Sequence, residues 1–206
     1  IDVTKIGRSI ICNIIMFLIV AIIPLSFILN KTVKIDYVLS ISSIVLPGGR
    51  PMKPKILSAL NKQLNLEFSA FYFYLAISTF FEDNAMPGAA EWMRHQSEEE
   101  HVHMMKIYRF LVDRDQTPVF TAVNKPEIEV TSVTDAFRTS LAHEQKVTSS
   151  IHEISKLSLK EEQMATFQFL QWFIEEQVEE EAQLLDIIAK LNTYGEEPQF
   201  LYDLDK

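Results

Sequence analysis

The sequence predicts an all-α protein: a four-helix bundle with one long crossover between its second and third helices and a short helix at the C-terminus. Three observations predict it. From Pro54 onward, apolar residues recur at three- and four-residue spacing, the pattern of helices with one buried face. Glycine occupies only 5 of 206 positions, too few for a fold built on β-turns. Between the second and third periodic stretches lies QTPVFTAVNKPEIEVT, residues 116–131, with two prolines, several β-branched residues and no helical period. Neighbouring antiparallel helices need links of only about 2–8 residues. A longer one can carry the chain along the length of a bundle.

Residues 1–51 differ from the rest. The run SIICNIIMFLIVAIIPLSFIL, residues 9–29, has no charge; Lys5 and Arg8 precede it, and Lys31 and Lys34 follow. It is long enough to span a bilayer or to form the apolar part of a targeting segment. The break PGGRPMKP, residues 47–54, has Met52 inside it. That suits an upstream stretch joined to a domain that begins at Met52. Two readings stay open: a genuine anchor or targeting segment, or a stretch that is not part of the mature protein. Residues 52–206 form the bundle domain under either.

The formal net charge is −9. Residues 1–51 hold five of the 19 basic residues and two of the 28 acids, so the remainder carries −12. This balance argues against a nucleic-acid partner and favours cations. A single cysteine, Cys12, rules out a disulfide framework and a thiolate metal site and fits a reducing, cytoplasmic setting. A membrane is a partner only if residues 9–29 are retained as an anchor.

Taken in order, the first helix spans residues 54–82. Pro54 suits its first turn, and Leu57, Leu60, Leu64, Glu67, Phe71, Tyr74, Ser78 and Phe81 form its seam. EDNAMPG, residues 82–88, ends it with turn chemistry. The second helix covers 87–115, with the seam Ala89, Met93, Gln96, Glu100, His103, Ile107 and Phe110. Ser132 or Thr134 caps the third helix, 133–158, whose seam is Phe137, Leu141, Glu144, Thr148 and Ile151. The fourth, 161–193, carries Leu170, Phe173, Gln177, Glu180, Leu184, Ile187 and Leu191, and Gly195 and Pro198 stop it. QFLYDLD remains as a short amphipathic tail.

Each seam is apolar except near its midpoint, where Glu67, Glu100 with His103, Glu144, and Gln177 with Glu180 interrupt it. Helices of similar length, packed side by side, bring these positions to one level. A lone Glu at a seam's edge can reach water. Four helices making the same exception at one level cannot all do so, and burying several carboxylates together is prohibitive without countercharge. No Lys or Arg stands at these seam positions, so cations are the remaining source. Carboxylates with an imidazole suit iron or manganese. Glu100 and His103, at i and i+3, share one face, so the Glu can bridge two ions while the His ligates one. His101 points elsewhere, and Glu98 is solvated.

With these residues in place, the chain resembles the non-haem bacterial ferritins. NLEFSAFYFYLA resembles that family's first helix, EEEHVHMM its second, HEQK its third and FLQWFIEEQVEEE its fourth. The resemblance covers residues 52–206 and implies a ferritin-like fold. It implies a hollow 24-subunit shell, a homo-oligomer that oxidises Fe2+ with O2 or peroxide and stores ferric mineral. Carried over by motif, Glu67, Glu100 and His103 would hold the first iron, and Glu100, Glu144 and Glu180 the second, with Gln177 beside it. Glu99, Glu176 and Glu179, with Glu180 shared, match a further iron site nearer the cavity; a surface acidic cluster is the alternative. Tyr74 is either a core tyrosine or a catalytic residue, redox-active or ligand-orienting, close to the irons. Trp172 is a weaker case of the same kind.

Two departures matter. Gln183 stands where bacterioferritins place the histidine of a second Glu-x-x-His, so the centre is asymmetric. His101 stands where bacterioferritins use a haem-gripping methionine, so no haem is expected. The rival readings are a dinuclear-iron oxidase or peroxidase that stores no mineral, a membrane-attached iron oxidase, and a bundle whose seam acids are structural.

Overall fold

Five helices follow one another in the computed structural model, which describes residues 51–206: α1 (Pro54–Asp83), α2 (Pro87–Asp113), α3 (Val133–Lys160), α4 (Met164–Tyr194) and α5 (Pro198–Leu204). The expectations for the apolar run 9–29 and for Cys12 lie outside the described residues. Proline opens α1, α2 and α5, where a missing N–H costs nothing. Ser132 caps α3: its Oγ accepts from the Asp135 N–H at 3.1 Å. With glycine scarce, three helices end on non-glycine residues of left-handed backbone, Ala85, Asp115 and Glu162, with φ of 55°, 56° and 56°. Each end is closed by an N–H reaching back five residues, Met86 to Phe81, Gln116 to Leu111 and Gln163 to Ser158.

The direction of each helix follows from its two ends. One apolar cluster gathers Tyr74, Ile77 and Phe81 of α1, Ala89, Ala90 and Met93 of α2, Val133, Ala136 and Phe137 of α3, and Leu184, Ile188 and Leu191 of α4. The other gathers Ile56, Leu60 and Leu64, then Met104, Ile107 and Leu111, then Val147, Ile151 and Ile154, with Leu170 and Phe173. α1 is therefore antiparallel to α2 and α3, and α3 is antiparallel to α4. α2 ends in the second cluster while α3 begins in the first, so residues 116–131 run the length of the bundle. Asn61 and Asn65 fasten that crossover. Asn61 Oδ1 accepts from Val119 N at 2.7 Å, and Asn65 accepts from Thr121 N at 2.8 Å while donating to Val119 O at 2.7 Å. At the far end Ile128 and Val130 pack on the first cluster.

The seams are broader than the single lines drawn from the sequence. Ile56 is buried and Leu57 half-buried, Leu111 and Ile188 are buried beside half-buried Phe110 and Ile187, and Phe71, Leu141 and Thr148 are half-buried. A straight helix drifts by ~20° per heptad against a strict seven-residue repeat. Over four turns and more, the buried line therefore moves to the adjacent residue.

The tail closes one end of the bundle. Phe200, Leu201 and Leu204 pack on the first cluster, and Asp205 Oδ1 accepts from Ala89 N at 2.8 Å, satisfying a free N–H at the start of α2. A Cβ on Gly88 would lie 1.7 Å from the Asp205 carbonyl oxygen, so only glycine permits this approach.

Candidate metal centre

Between the two apolar clusters each of the four long helices turns polar. α1 contributes Gln63 and Glu67; α2 contributes Gln96, Glu100 and His103; α3 contributes Glu144; α4 contributes Gln177 and Glu180. None of these is more than 7 % exposed. Among the described residues no lysine or arginine is buried. The layer thus holds four carboxyl groups and one imidazole without a lysine or arginine to balance them.

The ligand atoms form two groups that share one residue. In Glu67, Glu100 and His103, and again in Glu100, Glu144 and Glu180, one donor atom from each residue lies within 4.8 Å of the others. Donors about 2.1 Å from a small divalent cation lie up to about 4.2 Å apart, so modest closure would seat an ion in each. His103 Nδ1 is 3.6 Å from Glu100 Oε2 and its Nε2 is 3.7 Å from Glu180 Oε1. Glu67 Oε2 and Glu100 Oε2 are buried with no hydrogen-bond partner. Such orphaned carboxylate oxygens are what a cation would satisfy.

Electrostatics agree. Burial first, and Glu100 next, push the Glu67 carboxyl well above the usual carboxylate range. Burial and then Glu144 do the same to Glu100 and Glu180. Glu144 is raised by burial and eased back by the hydrogen bond from Tyr74. Without a metal the layer favours protons; a divalent cation, if bound, would replace them.

Amides and a phenol hold the carboxylates from behind. Tyr74, wholly buried, donates to Glu144 Oε1, and burial and then Glu144 raise its own phenol. Gln177 donates to Glu144 Oε2 at 2.9 Å and to Glu180 Oε2 at 2.7 Å. Trp172 is half-buried, edge-on to His103 with ring centroids 5.4 Å apart, and Lys106 Nζ lies 3.6 Å from its ring centre.

Other expected residues sit outside the layer. Glu99 and Glu179 are exposed and Glu176 half-buried, and no third close group forms among them. They still feel one another: although Glu99 is exposed as a residue, its carboxyl is partly shielded from water, which raises it; His103 opposes, and Glu176 and Glu179 add. Glu98 and His101 are exposed, and Gln183 is exposed with its amide on Glu179. His143, next to Glu144 in sequence, stacks instead on Phe73 at 4.3 Å, and burial and then Lys146 lower it to about 4. Sequence reasoning passed over Gln63, which donates to Glu67 Oε1 at 2.8 Å. The available signal was its place one helical turn before Glu67.

A long-crossover bundle with carboxylates and a Glu-x-x-His meeting at mid-height has the architecture on which dinuclear metal-carboxylate centres are built. Residues 57–194 match the Ferritin-like domain family, and the chain belongs to that family. It is 39% identical over 155 residues to the bacterial non-heme ferritin of Staphylococcus saprophyticus, covering 75% of this chain and 93% of that one. It is 34% identical over 155 residues to the bacterial non-heme ferritin of Escherichia coli O6:H1, covering 75% and 94%. Among solved structures it resembles an open pore ferritin from the archaeon Archaeoglobus fulgidus, with TM-score 0.73, 40% identity, and coverage of 75% of this chain and 94% of that one.

Proposed function

We propose that this chain is an iron-storage protein with ferroxidase activity, oxidising Fe2+ within each bundle and storing ferric mineral inside a 24-subunit shell. The observation that carries the proposal is the pair of ligand groups sharing Glu100 in a buried layer without lysine or arginine. Family membership and the likeness to ferritins support it.

In this reading the acidic domain draws Fe2+ inward. Glu67, Glu100 and His103 bind one ion, and Glu100, Glu144 and Glu180 the other, with release of the protons these carboxyls carry. Gln177 and Tyr74 fix Glu144 and Glu180, while the flanking apolar clusters exclude bulk water. Each Fe2+ gives up one electron; O2 takes both electrons and two protons and leaves as hydrogen peroxide. The second group has no imidazole, so it holds its product less firmly and favours passage to the store. We assign Glu99, Glu176 and Glu179, with Glu180, to a further iron site on that route, as the resemblance to the non-haem ferritins implies. We place the domain in the cytoplasm, and fractionation of the full chain tests the membrane alternative.

The experiment is the combined change Glu100→Ala and His103→Ala. It should abolish rapid O2-dependent Fe2+ oxidation while particle size stays native. Oxidation at the native rate would defeat the assignment.

A further inference from the structure

Gln63 is a fully buried polar side chain with no place among the ligands. Burying an amide is costly unless both its ends are paired. Here both are, and by different helices. The amide nitrogen donates to Glu67 Oε1 at 2.8 Å, one turn along α1. The amide oxygen accepts from Ser150 Oγ on α3. A serine hydroxyl can serve as donor or acceptor, whereas the ionised carboxylate that binds a cation only accepts, so in the metal-binding form the arrangement fixes which end of the amide faces Glu67. Glu67 Oε1 is thereby occupied. Its Oε2 is buried without a partner and belongs to the side chain grouped with Glu100 and His103.

We propose that Gln63, fixed by Ser150, is a positioning pair that ties down one oxygen of Glu67 and presents the other to the first metal ion. The inference rests on the metal-centre reading above and adds a residue pair to it. An amide does not ionise in this pH range, so Gln63 acts by orientation and carries no proton. Its counterpart, Gln177, touches two carboxylates within one helix pair. Gln63 touches one, and is itself held across the bundle. The first ion's hold therefore depends on how α3 sits against α1, through a single hydroxyl. Ser150 is half-buried at a surface groove between those helices, bordered by Ser58, Lys62 and Glu153. It can be changed without opening the core.

The test is anaerobic titration of the assembled protein with Co2+, followed by calorimetry, together with the Fe2+ dependence of oxidation. The native protein should take two ions per subunit. Gln63→Leu should weaken one of them by about 10- to 100-fold, the usual effect of losing a group that orients a ligand. It should raise the Fe2+ concentration for half-maximal oxidation more than it lowers the maximal rate. Ser150→Ala should shift the same ion by about two- to tenfold, the worth of one hydrogen bond, and Ser150→Thr, which keeps the hydroxyl, should restore it. Native affinity for both ions in a correctly assembled Gln63→Leu protein overturns the inference. If that variant fails to assemble, equal affinities in Ser150→Ala and Ser150→Thr overturn it. A native protein that takes up no Co2+ overturns the centre itself, and this inference with it.

Discussion

Glu67, Glu100, Glu144 and Glu180 are buried so closely together that the metal-free layer favours protons over charge. Their pKa values in the folded chain lie above those of the unfolded one, so the folded protein binds more protons. The stability they contribute is complete below the ordinary carboxylate range and is lost as pH rises through the raised values. Thermal unfolding of the metal-free protein should therefore move to lower temperature between about pH 5 and about pH 8. Saturating divalent metal should flatten or reverse that trend, because ligation needs the carboxylates deprotonated. Identical pH slopes with and without metal would contradict this account. The four buried acids were legible as candidate ligands because each is a charged exception on an apolar seam. Gln63 and Ser150 were not. A neutral amide or hydroxyl on a helix gives no such contrast, and the Ser150 contact joins helices 87 positions apart. Glu99, Glu176 and Glu179 show the opposite limit. Their sequence pattern matches a site, yet nothing in a pattern specifies how far three side chains on the surfaces of two helices stand apart.

The four long helices were legible from periodicity, and most of their ends from Pro54, the EDNAMPG break, Ser132 and Gly195. The junction of α3 and α4 was not: α3 runs on to Lys160, and residues 161–163, expected to open the fourth helix, form the turn before Met164. The crossover was legible as a length and as a loss of period. Its fastening by Asn61 and Asn65 was not, since asparagine in a helix interior carries no signal of a distant backbone partner. The tail gives another case. QFLYDLD reads as amphipathic, but only the structure shows Asp205 on the first turn of α2 and its carbonyl against Gly88. Gly88→Ala should release α5 from the bundle end. Overpacking of this kind costs about 1–3 kcal/mol, so melting should fall by several degrees and residues 195–206 should become open to protease. An unchanged melting temperature and a protected tail would show that the close approach can be relaxed cheaply.

At the scale of the whole bundle, two apolar clusters brace a polar layer from above and below, and the alternation of helix directions puts one acid-bearing segment of each long helix at that level. The long crossover makes this possible: it returns the chain to the far end, so that α3 and α4 enter with their acids at the height already set by α1 and α2. The proposed metal centre thus depends on register among rods more than on any loop. The most direct measurement is anomalous scattering from crystals of the assembled protein soaked with Mn2+ under anaerobic conditions. Two peaks are predicted inside each bundle, one among Glu67, Glu100 and His103 and the other among Glu100, Glu144 and Glu180. Peaks confined to exposed acids, with the buried layer empty, would contradict the account.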